Sequence, residues 1–410
     1  MSRTDYDLLI IGGGMVGASL ACALAGLNLR IGLVEAAPFT VNAHPSYDDR
    51  TIALAQGTRR IFRTLGLWDT LEPTATPIQH IHISERGGTG FAHLDARREG
   101  VDALGYVAEA RMIGAALLAR LSSLPDFELL CPARLEQVSI EPDMARAVID
   151  CGDGRTRALR ARLLVAADGA RSPVREQLGI AALRWEYGQQ AVIANVTPTL
   201  HHAHVAYERF TTDGPIALLP MSDHRCAVVC TVNESETAAV MALDDSAFLA
   251  LVQARFGDRL GPLLRAGRRQ SYPLFLLKAR EHARARVALI GNAAHTLHPI
   301  AGQGFNLGIR DVAALAEVIA DASGAGEDIG ALSVLNRYAD WRRWDQRQTI
   351  AFTDALNRLF GNPLLPVRTA RNLGLLAFDL LPPAKRWFAR QAMGLDGRLP
   401  KLARGLPLTA

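Results

Sequence analysis

One short stretch near the N-terminus constrains the fold more than any other. Tyr6 to Ile11 (YDLLII) reads as a short buried strand, and Gly12-Gly13-Gly14-Met15-Val16-Gly17 follows at once. Ala18 to Leu27 is rich in Ala and Leu and reads as a helix; a second apolar run, Arg30 to Val34, ends in Glu35. Strand, G-x-G-x-x-G, helix, strand and then an acid about 20 residues beyond the glycines make up the dinucleotide-binding fingerprint. Each part has a physical task. Gly12 permits the tight turn, Gly14 lets the backbone approach a pyrophosphate, and Gly17 lets helix and strand pack closely. The helix N-terminus offers unpaired N–H groups to phosphate oxygens. Glu35 can accept both ribose hydroxyls, and its charge would repel a 2′-phosphate, so NAD or FAD is favoured here over NADP. Glycine-rich turns alone are common; the flanking strands, helix and acid make this one specific. No second copy exists. Gly324 and Gly326 in ASGAGEDIG misplace the third glycine and follow no strand, so they read as a loop.

A chain of 410 residues has room for more than this unit, at about 150 residues per domain. Its 49% hydrophobic and 21% charged residues supply ample apolar mass to bury, which excludes disorder as the main state. A net charge of +4 is too mild to argue for nucleic acid. The basic residues are nearly all Arg, the only lysines being Lys278, Lys385 and Lys401. Five cysteines (Cys22, Cys131, Cys151, Cys226 and Cys230) form no C-x-x-C pair and read as reduced core thiols. The start of the chain has no basic region ahead of an apolar one, so no secretory signal is expected. No run reaches the ~18 uncharged apolar residues of a spanning helix. The expectation is a cytoplasmic protein, soluble or peripheral at the inner face of a membrane.

Three further segments carry chemistry. In YDDRTIALAQGTRRIF, Leu54, Thr58, Ile61 and Leu65 recur at helical spacing, so a helix is expected from Thr51 onward, with Arg50 just before it. An Arg there can pair with phosphate or ribose oxygens, or be a solvated surface charge. LLVAADGARSPVR is a buried strand running into Asp168-Gly169, with Ser172 placed to cap the next helix and Pro173 at its first position. VALIGNAAHTLHPIAGQGFNLG is a strand, then a long segment almost without charge, then Gly302-Gln303-Gly304 leading into a helix near Phe305. A bare helix start suits an anion or an electron-rich ring oxygen.

On these residues the chain resembles the single-component FAD-dependent aromatic hydroxylases, similar in plan to para-hydroxybenzoate hydroxylase. Within them it is most similar to the ubiquinone-biosynthesis hydroxylases. The likeness spans nearly the whole chain, through the glycine fingerprint, YDDRTIAL, LGYVAEAR, DGARSPVR, AYERFTTDGPIALLPM, GNAAHTLHPIAGQGFNLG and RNLGLLAFDLLPPAK. The last three point to the branch acting on 2-polyprenyl-6-methoxyphenol. One departure is Gly291-Asn292, where the wider superfamily has Gly-Asp and the Asp carboxylate binds a ribityl hydroxyl. Asn can still accept through its amide oxygen, and Asn is in keeping with the ubiquinone branch.

The resemblance implies an α/β fold: a Rossmann-like FAD-binding domain (1–76, 108–182 and 276–352), an inserted β-sheet substrate domain (77–107 and 183–275) and a C-terminal helical segment (353–410). It implies bound FAD, reduced by transient NADPH or NADH, and reaction with O₂ to a C4a-hydroperoxyflavin that hydroxylates a prenylated phenol para to its hydroxyl. Gly12, Gly14, Gly17 and Glu35 would hold the adenosine diphosphate. Arg50 and Arg111 would touch phosphate, ribose or ring edge; Asp168 and Arg171 would serve the diphosphate region and the incoming nicotinamide. Asn292, Gly302, Gly304 and Asn306 would contact the flavin, with Pro299 and Gln303 shaping the pocket. No general base is assigned; His295 and His298 lie near the flavin in sequence but equally suit backbone capping.

Trp185 to Pro273 alternates apolar and polar residues, as a sheet does. Pro77 to Tyr106 alternates likewise, and histidines are plentiful across both stretches (His80, His82, His93, His201, His202 and His204); the run His201-His202-Ala203-His204 has no acid or cysteine completing a metal site and reads as exposed loop histidines. From Arg358 to Arg404, nine basic residues stand against Asp379 and Asp396, amid many Leu and aromatic residues. Such a segment suits a membrane surface, an acidic partner within a biosynthetic complex, or a cap on its own domain. Because the flavin motifs end by Gly308, loss of the chain beyond Gly394, or charge reversal at Lys385, Arg386 and Arg390, is expected to leave FAD bound. Other readings stay open: a prenyl reductase or halogenase, a non-catalytic flavoprotein scaffold, or an NAD-linked dehydrogenase. No lysine matches the one a halogenase would need.

Overall fold

The computed structural model describes residues 4–39, 50–152, 154–298, 302–361 and 365–409. The first strand, Tyr6–Ile11, lies inside an eight-stranded sheet, parallel to Ile31–Val34 on one side and Thr156–Ala166 on the other. Leu8 faces both Ile31 and Leu163 in register. Phe127–Leu130 extends the sheet beyond Ile31–Val34, and Val287–Leu289 beyond Thr156–Ala166. A continuous apolar strand is what a parallel sheet covered on both faces requires. Leu8 and Ile10 point to the helices Met15–Ala23 and Gln303–Gly324. Leu9 and Ile11 point the other way, to the antiparallel ribbon Arg134–Ile140 and Ala145–Asp150.

A nine-stranded, mainly antiparallel sheet runs from His295–Thr296 through Gln270–Ala279, Ala182–Pro198, Cys226–Asn233, Ile216–Pro220, Val205–Phe210 and His80–Glu85 to Phe91–Asp95. Cys226, Val228, Cys230 and Val232 turn one face onto the helices Glu234–Ala242 and Asp245–Phe256, burying Val240, Phe248 and Val252. The alternate residues, Val229 and Thr231 among them, line a large cavity on the opposite face. Period-two alternation is thus what places the cavity.

Three expectations are corrected. Thr51–Ala55 is a strand, and the helix begins only at Gln56. The strand forms because Gly105–Glu109 lies alongside it, Thr51 opposite Glu109 and Ala55 opposite Gly105, with Thr76–Ile78 on the far edge. Thr58 and Ile61 do lie on the buried face of the helix. Gly324 belongs to the helix Gln303–Gly324 rather than to a loop. The run His201-His202-Ala203-His204 is not all exposed, since His202 is buried, while His80, His82 and His93 lie on strands with His82 buried. His82 Nδ1 lies 2.7 Å from His93 Nε2, and His202 Nε2 lies 2.9 Å from the Met221 carbonyl.

The C-terminal segment is helical: Leu332–Gly361, Leu365–Leu380 and Pro382–Ala392. It is bound to the body by buried polar contacts. Arg371 pairs with Glu85 through Nε at 3.0 Å and through Nη2, and Asn372 Nδ2 donates to the same carboxylate at 2.9 Å. Lys385 is buried against Asp379 at 2.6 Å. Beyond the helices, Leu402 and Ala403 enter the main core, and Gly57 N–H donates to the Met393 carbonyl at 2.8 Å. Two corrections follow. Lys385 is an internal partner rather than a surface charge, and the residues after Gly394 complete the core instead of hanging beyond it.

Candidate active site

The glycine loop has the form the fingerprint requires. Gly12 adopts φ +105°, a conformation open to glycine and strained for other residues. A Cβ on Gly17 would collide with the Gly12 carbonyl. Gly14 caps the helix Met15–Ala23 without any side-chain acceptor, so the first N–H groups face outward. Glu35 is buried at the end of its strand; its Oε2 accepts the Gly13 N–H and its Oε1 the Ala37 N–H, both at 2.7 Å. The acid is therefore locked to the loop it serves.

Two turns adjoin this loop. Asp168 Oδ2 accepts the Val174 N–H at 3.1 Å while Oδ1 is sealed from solvent and unpartnered. Burial raises the Asp168 carboxyl to about 6, against the lowering influence of Ser172 and the Val174 N–H. Ser172 accepts the Arg175 N–H at 3.0 Å with Pro173 at the first helical position, as expected. Arg175 then reaches the Ala170 and Ala293 carbonyls at 2.7 and 2.9 Å, joining this turn to the turn Gly291–Ala293. That second turn is held from beneath. Gly291 N–H donates to Asp311 Oδ2 at 3.1 Å, and Asp311 also meets His295, Arg342 and Gln346.

At the other end, Gly302 (φ +61°) starts the helix Gln303–Gly324 with no side-chain cap. A Cβ on Gly302 would press on Ala53 at 3.0 Å. Asn306 is saturated. Its Oδ1 accepts Ala55 N–H at 2.8 Å and the Thr58 hydroxyl at 2.7 Å; its Nδ2 donates to the Ala53 and Gly302 carbonyls at 2.8 Å each. An amide has two donors and two acceptor sites, so the Asn306 side chain binds the cradle together and has nothing left for a ligand. The residue still lines the cavity, so any cofactor contact falls to its backbone.

One cavity of about 1140 Å³ connects these parts. Gly14, Arg50, Asn292, Gly302, Gln303, Gly304 and Asn306 line it, whereas Gly12, Gly17, Glu35, Arg111 and Asp168 do not. Arg50 lies over the Tyr272 ring at 5.4 Å. Arg111 pairs with Glu109. His295 is sealed against Asp311, while His298 does line the cavity. Pro299 lies outside the described residues. The far walls are apolar, from Ile81, Leu219 and Leu274 on the sheet to Phe360, Phe378 and Phe388 on the C-terminal helices. The sequence reading had missed Asp311, Arg342 and Gln346. A signal existed for the first: Arg310-Asp311 is the only charged pair in an otherwise uncharged run from Phe305 to Ala316.

A fingerprint glycine loop with a bare helix start, an acid locked to that loop, and an uncapped helix at the opposite end of an apolar cavity fit FAD. The fold and site define a flavin-dependent monooxygenase. The FAD binding domain family model matches residues 5–353. Ubiquinone hydroxylase UbiL of Rhodospirillum rubrum is 41% identical over 98% of this chain and 93% of that protein. The 3-demethoxyubiquinol 3-hydroxylase of Escherichia coli is 32% identical over 96% and 100%, and human ubiquinone biosynthesis monooxygenase COQ6 is 30% identical over 93% and 91%. Among solved structures, p-nitrophenol 4-monooxygenase PnpA from Pseudomonas putida shares the fold, with a TM-score of 0.79, 21% identity, and coverage of 96% of this chain and 98% of that one. The chain belongs to the FAD-dependent hydroxylase family, in the branch that contains the ubiquinone hydroxylases.

Proposed function

We propose that this enzyme hydroxylates a prenylated phenol in ubiquinone biosynthesis, with 2-polyprenyl-6-methoxyphenol attacked para to its hydroxyl. The observation that carries this reading is the continuity of the cavity, which runs from the flavin cradle to walls of Leu and Phe. A phenol bearing an isoprenoid tail needs both ends. FAD, when bound, takes a hydride from NADPH or NADH and activates O₂ for transfer to an electron-rich ring carbon.

The residues of the chain bind, orient and exclude water. Gly12 to Gly14 and the following helix N-terminus hold the diphosphate. Glu35, fixed by the Gly13 and Ala37 N–H groups, orients the ribose. The N–H groups at Gly302 to Gly304 face the polar edge of the flavin ring and stabilise negative charge there. Arg50 and Asn292 line the same space, and in this reading Asp168 and Arg171, outside the lining, serve the diphosphate side. Gln303 Nε2 donates to the Ala392 carbonyl at 3.3 Å, so the helix start is tied to the C-terminal cap. The stacked rings of Phe210 and Phe360, 3.6 Å apart, close the sheet against that cap. Residues 1–76, 108–182 and 276–352 form the cofactor unit in this reading, 77–107 and 183–275 the substrate sheet, and 353–410 the cap.

No helix among the described residues is long and apolar enough to cross a membrane. Delivery of so apolar a substrate then calls for peripheral contact with a bilayer or with partner proteins of the same biosynthesis. Exposed Leu380, Leu381 and Trp387 beside Arg386 support a bilayer contact at the cap.

The test is product analysis. Purified enzyme is reduced anaerobically with NADPH or NADH, mixed with 2-geranyl-6-methoxyphenol, and exposed to O₂. A product heavier by one oxygen, para to the hydroxyl, supports the reading. Oxidation of the reduced flavin with release of H₂O₂ alone, or hydroxylation elsewhere on the ring, counts against it.

A further inference from the structure

His298 is anomalous. It is only 1% exposed, yet neither ring nitrogen has a hydrogen-bond partner. Buried polar side chains are nearly always paired, and each exception calls for an explanation. His298 has a wall of the active-site cavity for its surroundings, and it is the only histidine among the described residues that lines that cavity. Its ring meets Tyr187 edge-on at 5.3 Å. The Tyr187 hydroxyl is turned away to Asp354, 3.2 Å distant, so it is not aimed at the imidazole. Leu297, the preceding residue, packs with Leu276 and Leu307.

Burial lowers His298 to about 4, so the ring is neutral at physiological pH. A neutral imidazole has one N–H donor and one acceptor nitrogen. A hydroxyl group matches that pair, since it donates and accepts. The proposed substrate carries one hydroxyl on an otherwise apolar frame. A neutral histidine is also the right acceptor chemically: a hydrogen bond from the phenol O–H enriches the ring carbons ortho and para to it, where an electrophilic oxygen is received.

We propose that His298 recognises the phenolic hydroxyl of the substrate, accepting its hydrogen bond and thereby fixing which ring carbon faces the flavin. This rests on the phenol-hydroxylase reading above and adds a specificity-determining residue to it. Thr296, two residues earlier, lines the same cavity with an unpartnered hydroxyl and extends the polar spot. Leu274 and Leu297 add apolar wall to the same cavity.

The experiment is a binding comparison on the FAD-loaded protein. 2-Geranyl-6-methoxyphenol and its O-methyl ether are titrated separately, and binding is followed by perturbation of the flavin absorbance. Wild type is expected to bind the phenol at least tenfold more tightly than the ether. His298→Leu should abolish that preference by weakening the phenol and leaving the ether unchanged or tighter. His298→Gln, which keeps a donor and an acceptor, should retain part of it, and it carries the comparison should His298→Leu fail to load FAD. The proposal is overturned if wild type shows no preference for the hydroxyl, or if His298→Leu keeps the full preference. A wild type that binds neither compound refutes the phenol reading itself, whereas tight phenol binding with an indifferent His298 refutes only this inference.

Discussion

Asp311 Oδ2 lies 2.6 Å from His295 Nε2, with both side chains sealed from solvent. The same carboxylate accepts Gly291 N–H at 3.1 Å, Arg342 Nε at 2.7 Å and Gln346 Nε2 at 3.0 Å. One buried anion thus ties the turn Gly291–Ala293 to the helices Gln303–Gly324 and Leu332–Gly361. Burial alone would raise its pKa, but the charges of His295 and Arg342 and their hydrogen bonds outweigh that and hold it well below the usual carboxylate range.

Asp311→Asn should therefore be strongly destabilising. It leaves Arg342 buried with Asp345 as its remaining acidic partner, and breaking a buried pair costs about 3–5 kcal/mol. Urea unfolding should register the loss, and flavin retention should fall with it. The sign with pH is fixed: a depressed folded pKa gives stability present above the unfolded value of about 3.9 and lost as pH falls below it. The gap between wild type and variant should close under acid. An Asp311→Asn protein as stable as wild type at pH 7 would show the hub to be dispensable.

The shape of the glycine loop was legible because its constraints are local. Gly12, Gly14, Gly17 and Glu35 act within one β-α-β stretch, and the glycines report directly on backbone shape. The Asp311 hub was not legible, because its partners lie 16 to 35 residues away and meet only after two helices pack. Glu85 and Arg371, 286 residues apart, are further beyond reach. Thr51 misled for the same reason: the helical spacing of Thr58 and Ile61 is real, but pairing with Gly105–Glu109 makes Thr51–Ala55 a strand. Asn306 stood in a flavin-side motif, and only its four partners reveal that its amide serves the fold.

Loss of the glycine loop should show as loss of colour. Gly14→Val puts a branched side chain at the helix N-terminus where a diphosphate must approach, and Gly17→Ala forces its Cβ against the Gly12 carbonyl. Both should purify without flavin absorbance. Glu35→Ala keeps the loop but removes the acceptor of Gly13 N–H, so FAD binding should weaken roughly tenfold to a hundredfold, in line with about 1.5–3 kcal/mol for a charged hydrogen bond. Normal flavin content in Gly14→Val would remove the loop from the cofactor site.

Asp168 carries the opposite sign from Asp311. Its carboxyl is raised to about 6, so between the unfolded value of about 3.9 and 6 the folded protein holds a proton that the unfolded chain has lost. Stability falls as pH rises through that window, and the charge is a cost above it. In flavin-free protein, Asp168→Asn should raise the melting temperature by a few degrees at pH 7.5 and by nothing at pH 4, the shift per kcal/mol lying below the roughly 2–4 °C of a 150–250-residue domain. If the variant melts lower at pH 7.5, the carboxylate is stabilised by contacts that outweigh its burial.

The C-terminal cap separates two roles that its sequence merges. Leu402 and Ala403 lie in the main core, and Lys401 N–H meets Glu317. Truncation after Gly394 should therefore destabilise the whole protein and release FAD, contrary to what motif positions alone suggest. Surface attachment has a different address. Arg386 and Trp387 are adjacent and exposed, Trp387 by 52%, while the neighbouring Lys385 is occupied with Asp379. A basic residue at an anionic bilayer contributes roughly 1 kcal/mol, and an inserted Trp adds apolar burial. Arg386→Glu combined with Trp387→Ala should keep FAD and cut sedimentation with anionic liposomes at least tenfold, and added salt should imitate the charge change. Wild-type protein that ignores such liposomes at low salt would leave partner proteins as the source of the substrate.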